Sequence, residues 1–456
     1  MTPELAKKTI TVLGCGYVGL TTAAILANCG FKVYAVETDP KRLAVMKKGQ
    51  SFFHEAGINS LLANGLSQKT LIVTNTYKIA ILKSGLVFSC VGTPDNPDGS
   101  SNLSYIFDAA SQAAEYMKVG TIFVQKSTVP VGTGKKIEKL FKDQNKSVHY
   151  VSNPEFLREG TAIIDTLWSD RIVVGSENQN STQAIIKLYK KVESERSLIA
   201  ELANIKKPRI ISKSEYIQTG LDSAELIKIT SNAFLALKIS FANSIAKLAD
   251  QAGADITEVM DGVGADRRIG RAFLNAGRGY GGGCFPKDVS GLIRSAEDYG
   301  VNMEIMNAAT EVNDSMPHYI INRAKNLLGG SYKNKEVAVL GLAFKPGTSD
   351  VRRSPAIAIS NTLAEQGAKV RAYDPEATDE IKEKLNDDIT LCNGLDEAIK
   401  NTSSIFIATD WPEFKKMNLA KVVKLSKAEL FVDCVNCLNK DLVPKSVKYL
   451  GVGKSS

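Results

Sequence analysis

A chain of 456 residues, 44% of them hydrophobic, has room for roughly two or three domains with sizeable cores. Its apolar runs are short and broken by Lys, Asp or Gly, which excludes a membrane-spanning helix, and no basic block interleaved with aromatics points to nucleic acid. The net charge of +8 is spread along the chain, and it can attract a phosphate-bearing substrate or be an ordinary solvated surface.

The N-terminus passes from Met1-Thr2-Pro3 through Lys7-Lys8 into a strand pattern, with neither an h-region nor a cleavage site, so no signal peptide is expected. Seven scattered cysteines fit a reducing cytosol better than a disulfide framework, and a cytoplasmic protein is expected. The three histidines, His54, His149 and His318, have no Cys or carboxylate cluster at metal spacing. Cys434-Val435-Asn436-Cys437 is a lone CxxC, so no metal is expected.

Thr9–Leu13 reads as a strand and leads into Gly14-Cys15-Gly16-Tyr17-Val18-Gly19. A helical pattern follows through Leu20, Ala23, Ala24, Leu26 and Ala27, and a second strand over 32–36 closes in Glu37. This is the GxGxxG fingerprint in its required context: glycines for the tight turn and close approach, a helix N-terminus for the pyrophosphate. Glu37 stands roughly 20 residues on, where an acid binds the ribose hydroxyls and repels a 2′-phosphate, so NAD is favoured over NADP. Arg42 either flanks the adenosine or is solvated.

Further strands are expected at 86–90, 121–125 and 148–152. Their ends carry Val91-Gly92-Thr93-Pro94, Lys126-Ser127-Thr128-Val129-Pro130 and Asn153-Pro154-Glu155-Phe156-Leu157-Arg158-Glu159-Gly160. Ligands bind at such carboxyl ends of parallel strands. Glu155 and Glu159 then sit at that rim, or are ordinary loop acids. From about Ser223 to Gly253 apolar residues recur at helical spacing without Pro or Gly, predicting one long helix that links domains or forms a dimer core. Lys228 and Asn232, four residues apart, share one face of it, either solvated or pointing into a cleft.

Gly279-Tyr280-Gly281-Gly282-Gly283-Cys284-Phe285-Pro286-Lys287-Asp288 delivers one cysteine from a glycine run. Pro286 suits the first turn of a helix, placing Cys284 at a helix N-terminus beside Lys287. Both features favour thiolate, and so a nucleophile; the alternative is a Gly-rich turn with an inert cysteine. Past Tyr332 the opening pattern returns in Glu336–Leu340, Gly341, a helix over 356–366 and a strand ending in Asp374-Pro375. Phe344-Lys345-Pro346 stands where the later glycine belongs, so this second unit is expected to bind another nucleotide rather than a dinucleotide. A later strand, 404–408, ends in Thr409-Asp410-Trp411-Pro412.

These residues resemble the nucleotide-sugar dehydrogenases of the UDP-glucose/GDP-mannose family. The resemblance runs nearly end to end through GCGYVG, VGTP, STVPVGT, NPEFLREGTAI, ELIKITSNAFLALKISFAN, GYGGGCFPKD, LGLAFKPGTSDVRRSP, YDP and TDWPEF. Phe285-Pro286-Lys287-Asp288 resembles the UDP-glucose branch. The implied fold is α/β: an NAD-binding Rossmann-like domain over 1–212, a central helical dimerisation domain with the long helix and the cysteine loop over 213–325, and a UDP-sugar-binding Rossmann-like domain over 326–456. The implied assembly is a homodimer or higher homo-oligomer.

The implied reaction is two-step, NAD-dependent oxidation of the C6 hydroxyl of UDP-glucose to UDP-glucuronate. An aldehyde intermediate would leak unless a thiolate trapped it as a thiohemiacetal, oxidised next to a thioester. By position the resemblance implies Cys284 as nucleophile, Lys228 as the cation at the alkoxide and oxyanions, and Asn232 with Asp288 as the pair positioning a water or acting as base beside it. Thr128 would help hold that water and Glu155 would act in thioester hydrolysis. It implies cofactor contacts at Gly14, Gly16, Tyr17, Val18, Gly19, Glu37, Arg42, Val91, Thr93, Thr128, Glu159, Lys287 and Arg352. For the UDP-sugar it implies Glu155, Phe156, Leu157, Lys228, Asn232, Arg268 (reaching in from a partner subunit), Phe273, Leu274, Asn275, Gly277, Gly281 and Lys345.

Two positions depart from the pattern. Glu37 replaces the more usual Asp and keeps the acid. Val435 stands where the family usually has a ligand-touching arginine, which opens a second reading: the same reaction on another nucleotide sugar such as UDP-N-acetylglucosamine. A non-catalytic nucleotide-binding protein would not need the complete catalytic set, and a simple β-hydroxyacid dehydrogenase would need neither the nucleophilic cysteine nor the second nucleotide domain.

Overall fold

Two parallel sheets, one in each of two compact units over 1–231 and 232–456, organise the chain. The computed structural model describes residues 9–208, 213–377 and 379–454. The expectation for Met1–Lys8 and the expected boundary at Ser212 lie outside the described residues.

In the first unit the strands are β1 (Thr9–Leu13), β2 (Val33–Val36), β3 (Leu71–Thr74), β4 (Ser84–Ser89), β5 (Ile122–Gln125), β6 (His149–Ser152), β7 (Arg171–Gly175) and β8 (Glu215–Thr219). Their order is β3-β2-β1-β4-β5-β6-β7-β8, parallel except for the β6–β7 pair. Successive side chains point to opposite faces, so Ile10 and Val12 enter one core with Val33, Ala35, Leu86 and Phe88. Leu13 enters the other with Tyr34, Val36, Val87 and Phe123. Burial on both faces explains the near-continuous apolar strands. The order reverses between β2-β1 and β4, which makes the crevice beyond the ends of β1 and β4 the switch point.

The second unit repeats this plan with β9 (Glu336–Leu340), β10 (Lys369–Tyr373), β11 (Thr390–Leu391), β12 (Ser404–Ile407), β13 (Leu430–Asp433) and β14 (Lys448–Gly451). Its order is β11-β10-β9-β12-β13-β14, with β9 and β12 flanking the switch point. Val337 and Val339 face one core, Ala338 and Leu340 the other. The expected strand bounds hold to within about two residues.

Six helices position the chemistry. They are α1 (Tyr17–Asn28), α2 (Thr133–Asp143), α3 (Leu221–Ala252), α4 (Phe285–Asp298), α5 (Glu304–Leu327) and α6 (Pro355–Glu365). Helix α3 is the long helix the spacing predicts, 32 residues in length, and the division between the units falls within it. Among the described residues, no helix is long and apolar enough to cross a membrane.

Candidate active site

The first unit carries a dinucleotide cradle. Gly14 has φ +79°, and a Cβ there would press to 2.8 Å from the Val91 backbone. A Cβ at Gly19 would overlap the Gly14 carbonyl, so α1 packs against the turn only because position 19 is bare. A Cβ at Gly16 would meet nothing within 4 Å, which leaves the backbone open to a close ligand. Gly16 is the N-cap of α1 and gives no side-chain cap bond, so the positive N-terminal end of α1 suits an anion.

Glu37 is buried at the end of β2, accepting from the N–H of Cys15 at 3.3 Å and of Asp39 at 3.0 Å. The acid expected at the ribose therefore also braces the glycine turn. The Arg42 guanidinium lies 4.8 Å from the Phe52 ring centroid, and the Tyr17 ring stacks on Phe53 at 3.9 Å. These features fit NAD. Val91 and Thr93 lie half-buried just past β4, and Thr128 half-buried past β5. Ser127 donates to the Val91 carbonyl at 2.7 Å and ties these two ends together.

Past β6, Glu155 is buried against Lys228 of α3, with Nζ to Oε1 at 3.0 Å. The other carboxylate oxygen accepts the Leu157 N–H at 2.6 Å. The Phe156 ring stacks beneath Arg171 at 3.9 Å and lies 5.3 Å from the Lys228 ammonium. Glu159 lies half-buried on the same loop. Both Glu155 and Lys228 are thus structured partners, and neither is a solvated loop or helix residue.

Contacts that sequence reasoning misses, among them those of Tyr189 and Glu225, support this rim. Lys126 donates to the Tyr189 hydroxyl at 2.8 Å, which donates to Asn153 Oδ1 at 2.6 Å. Glu225, one turn before Lys228, accepts from the N–H of Gly132 and of Gly134, both at 2.7 Å, and so caps α2 from α3. Burial pushes the Glu225 carboxyl up to about 7 despite those donors. The partners lie 91 to 93 residues apart in sequence, and no local signal announces them.

The second unit carries the thiol. Cys284 is the N-cap of α4, and Pro286 lies in its first turn, as expected. Among the described cysteines Cys284 is exposed, Cys437 is half-buried and the other five are buried. Asp288, one turn into α4, is buried; its Oδ2 accepts from Asn232 Nδ2 at 2.6 Å and its Oδ1 from the Lys287 ammonium at 2.6 Å. Lys287, expected to aid Cys284, is also ion-paired with Asp288, whose buried carboxylate needs a cation. Asn232 sits on α3 one turn beyond Lys228.

The glycine run is shaped by what presses on it. A Cβ at Gly283 would overlap the Arg352 guanidinium, and one at Gly282, where φ is +84°, would press the Phe344 ring at 2.8 Å. Gly281 packs as closely on the Arg353 carbonyl. Arg352 is itself ion-paired with Asp350 at 2.7 Å, and the Lys345 ammonium lies 5.5 Å from the Phe344 ring centroid. Phe273 holds φ +66°, rare for a bulky residue and a mark of a backbone set by its surroundings.

The remaining expected residues divide. Gly277 donates its N–H to Asn243 at 2.8 Å and packs against the Cys434 carbonyl near Val435. Leu274 is buried in the core, so it offers a ligand only backbone, while Asn275 is exposed and accepts from Arg271. Arg268 is exposed and paired with Asp266 at 2.5 Å. At the CxxC, burial and then Asp433 push both thiols up, which disfavours the thiolate a metal or redox role needs.

Three family models match the chain. The NAD binding domain of the UDP-glucose/GDP-mannose dehydrogenase family matches 8–193, its central domain 222–315 and its UDP binding domain 338–440. The UDP-glucose 6-dehydrogenase YwqF of Bacillus subtilis is 37% identical over 98% of this chain and 98% of its own length. The UDP-glucose 6-dehydrogenase of Rhizobium meliloti is 37% identical over 98% and 99%. The solved UDP-glucose dehydrogenase of Pyrobaculum islandicum superposes with a TM-score of 0.89 at 32% identity, covering all of both chains.

Proposed function

Because the chain belongs to the UDP-glucose/GDP-mannose dehydrogenase family, we propose that it oxidises the C6 hydroxyl of UDP-glucose to the carboxylate of UDP-glucuronate, reducing two NAD. The observation that carries the covalent route is Cys284, the exposed thiol capping α4, with the buried Asp288 of the first turn paired to Lys287 and to Asn232 of α3.

The Gly14–Gly19 turn and Glu37 would hold NAD, which would supply hydride acceptance in both oxidations. In the first, C6 loses a hydride, and the hydroxyl proton leaves through water held by Asn232, Asp288 and Thr128. Lys228 stabilises the alkoxide. Cys284 Sγ then adds to the aldehyde carbon; a C–S bond forms and the oxygen takes a proton. Loss of a second hydride from that carbon and of the hydroxyl proton gives the thioester. Glu155 takes a proton from water, the water oxygen attacks the thioester, the C–S bond breaks and the thiolate leaves. One water enters and two hydrides and two protons depart, which balances alcohol to acid.

The test is NADH yield per sugar with limiting UDP-glucose and excess NAD. Two NADH per sugar is the expected result. One would mean that the aldehyde escapes, and none from folded protein would favour another nucleotide sugar, with Val435 the first position to examine.

The division at 212 and 325, the cytoplasmic setting and a homodimer built on α3 belong to the same proposal. Supporting the dimer, Leu226, Phe234, Phe241 and Leu248 are exposed along α3 at intervals of about two helical turns. Arg268, exposed, suits a role in a second subunit's site. A dimeric mass is expected in light scattering; a monomer at working concentration would remove this part.

A further inference from the structure

Arg278 is a buried cation with no ion pair among the described residues. It stands in the glycine run six residues before Cys284, yet its side chain is 3% exposed. Its Nη2 donates to the carbonyls of Ala343 at 3.1 Å and Phe344 at 2.9 Å and to Thr409 Oγ1 at 3.1 Å. Nη1 reaches Ser354 Oγ, the N-cap of α6, at 3.4 Å, and Nε has no partner. Residues 341–344 follow β9 and Thr409 follows β12. The guanidinium therefore lies at the switch point of the second sheet, where open α/β sheets take their ligands.

No carboxylate pairs with it among the described residues. Asp374 accepts from the N–H of Leu342, the N–H of Ala343 and the Trp411 indole. Asp410 pairs with Lys415 at 2.6 Å. Burial draws the guanidinium down to about 10, with Cys434, Asp410 and Asp374 opposing, so it stays charged near neutral pH. A buried charge facing only neutral acceptors is costly unless something else compensates it. It also neutralises two carbonyl oxygens whose negative ends would otherwise repel an anion at this crevice.

We propose that Arg278 determines affinity for the diphosphate of the nucleotide ligand, by placing a positive charge that has no ion pair at the switch point of the second sheet and by occupying the Ala343 and Phe344 carbonyls. Its role is positioning and field, without contact to the reacting atoms. The inference rests on the functional reading above, which makes the ligand a UDP-sugar. It also offers this chain a cation where Val435 supplies none, since the Gly277 backbone beside Arg278 packs on the Cys434–Val435 turn.

The experiment is calorimetric titration of the full-length protein with UDP and, separately, with uridine, which lacks the charge. Arg278→Gln keeps amide donors for the carbonyls and removes the charge. It is expected to weaken UDP by about tenfold or more and uridine by less than about twofold. Equal weakening of both ligands, or no weakening of UDP, overturns the inference. Arg278→Lys keeps the charge and should retain the preference for UDP over uridine. If the Gln variant does not fold, loss of that preference in the Lys variant overturns the proposal. Wild-type protein that binds neither ligand overturns the parent reading, and this one with it.

Discussion

A Cys284→Ser chain is expected to form UDP-glucuronate about a thousandfold more slowly than the wild type, or worse. The reasoning starts from placement. Cys284 caps α4, so its sulfur sits by the orphan N–H groups and positive end of that helix, which favour an anion. A serine hydroxyl in the same place ionises far less readily and makes an ester in place of a thioester. No other thiol stands ready. Burial pushes Cys90 up to about 12 and raises Cys15 as well, and Cys437 is raised by burial and Asp433. Cys284→Ala should behave like Cys284→Ser in steady-state product formation, assayed by separating the nucleotide sugars. Acid appearing at the wild-type rate from either variant would remove the covalent route while leaving the cradle and the family untouched.

Much of this was open to sequence reading because the signals are local. Strand, glycine turn, helix and acid over 9–37 are each a short-range requirement, and the structure places them within a residue or two. Helix α3 is legible because thirty residues without Pro or Gly leave few alternatives. The glycine run around Cys284 is legible as a close approach, since a bare Gly281 and Gly282 tolerate the Arg353 carbonyl and the Phe344 ring. What stays hidden is set by tertiary partners. Nothing near Arg278 in sequence says that its guanidinium meets a carbonyl 65 residues on and a threonine 131 residues on. The Lys126–Tyr189–Asn153 chain is equally non-local. Helix α5 carries Pro317 inside it, against the local rule, and β11 is two residues long; packing decides both.

Replacing Lys228 separates stability from chemistry. Lys228 and Glu155 form a buried pair, so Lys228→Met should leave a carboxylate buried alone and destabilise the fold by roughly 3 kcal/mol. The same change removes the charge expected to meet the alkoxide and both oxyanions, so turnover should fall by about a thousandfold. One variant alone cannot say whether activity is lost through unfolding. The double variant Lys228→Met/Glu155→Gln removes both charges, and with them the unpaired one. Its thermal midpoint should return most of the way to wild type, because a buried ion pair replaced on both sides costs little. Its turnover should not return, because neither the cation nor the hydrolytic base remains. Recovery of both would make the pair a structural bridge, with the oxyanions stabilised elsewhere. Recovery of neither would mean that Glu155 and Lys228 hold the Phe156 loop in ways that their charges do not explain.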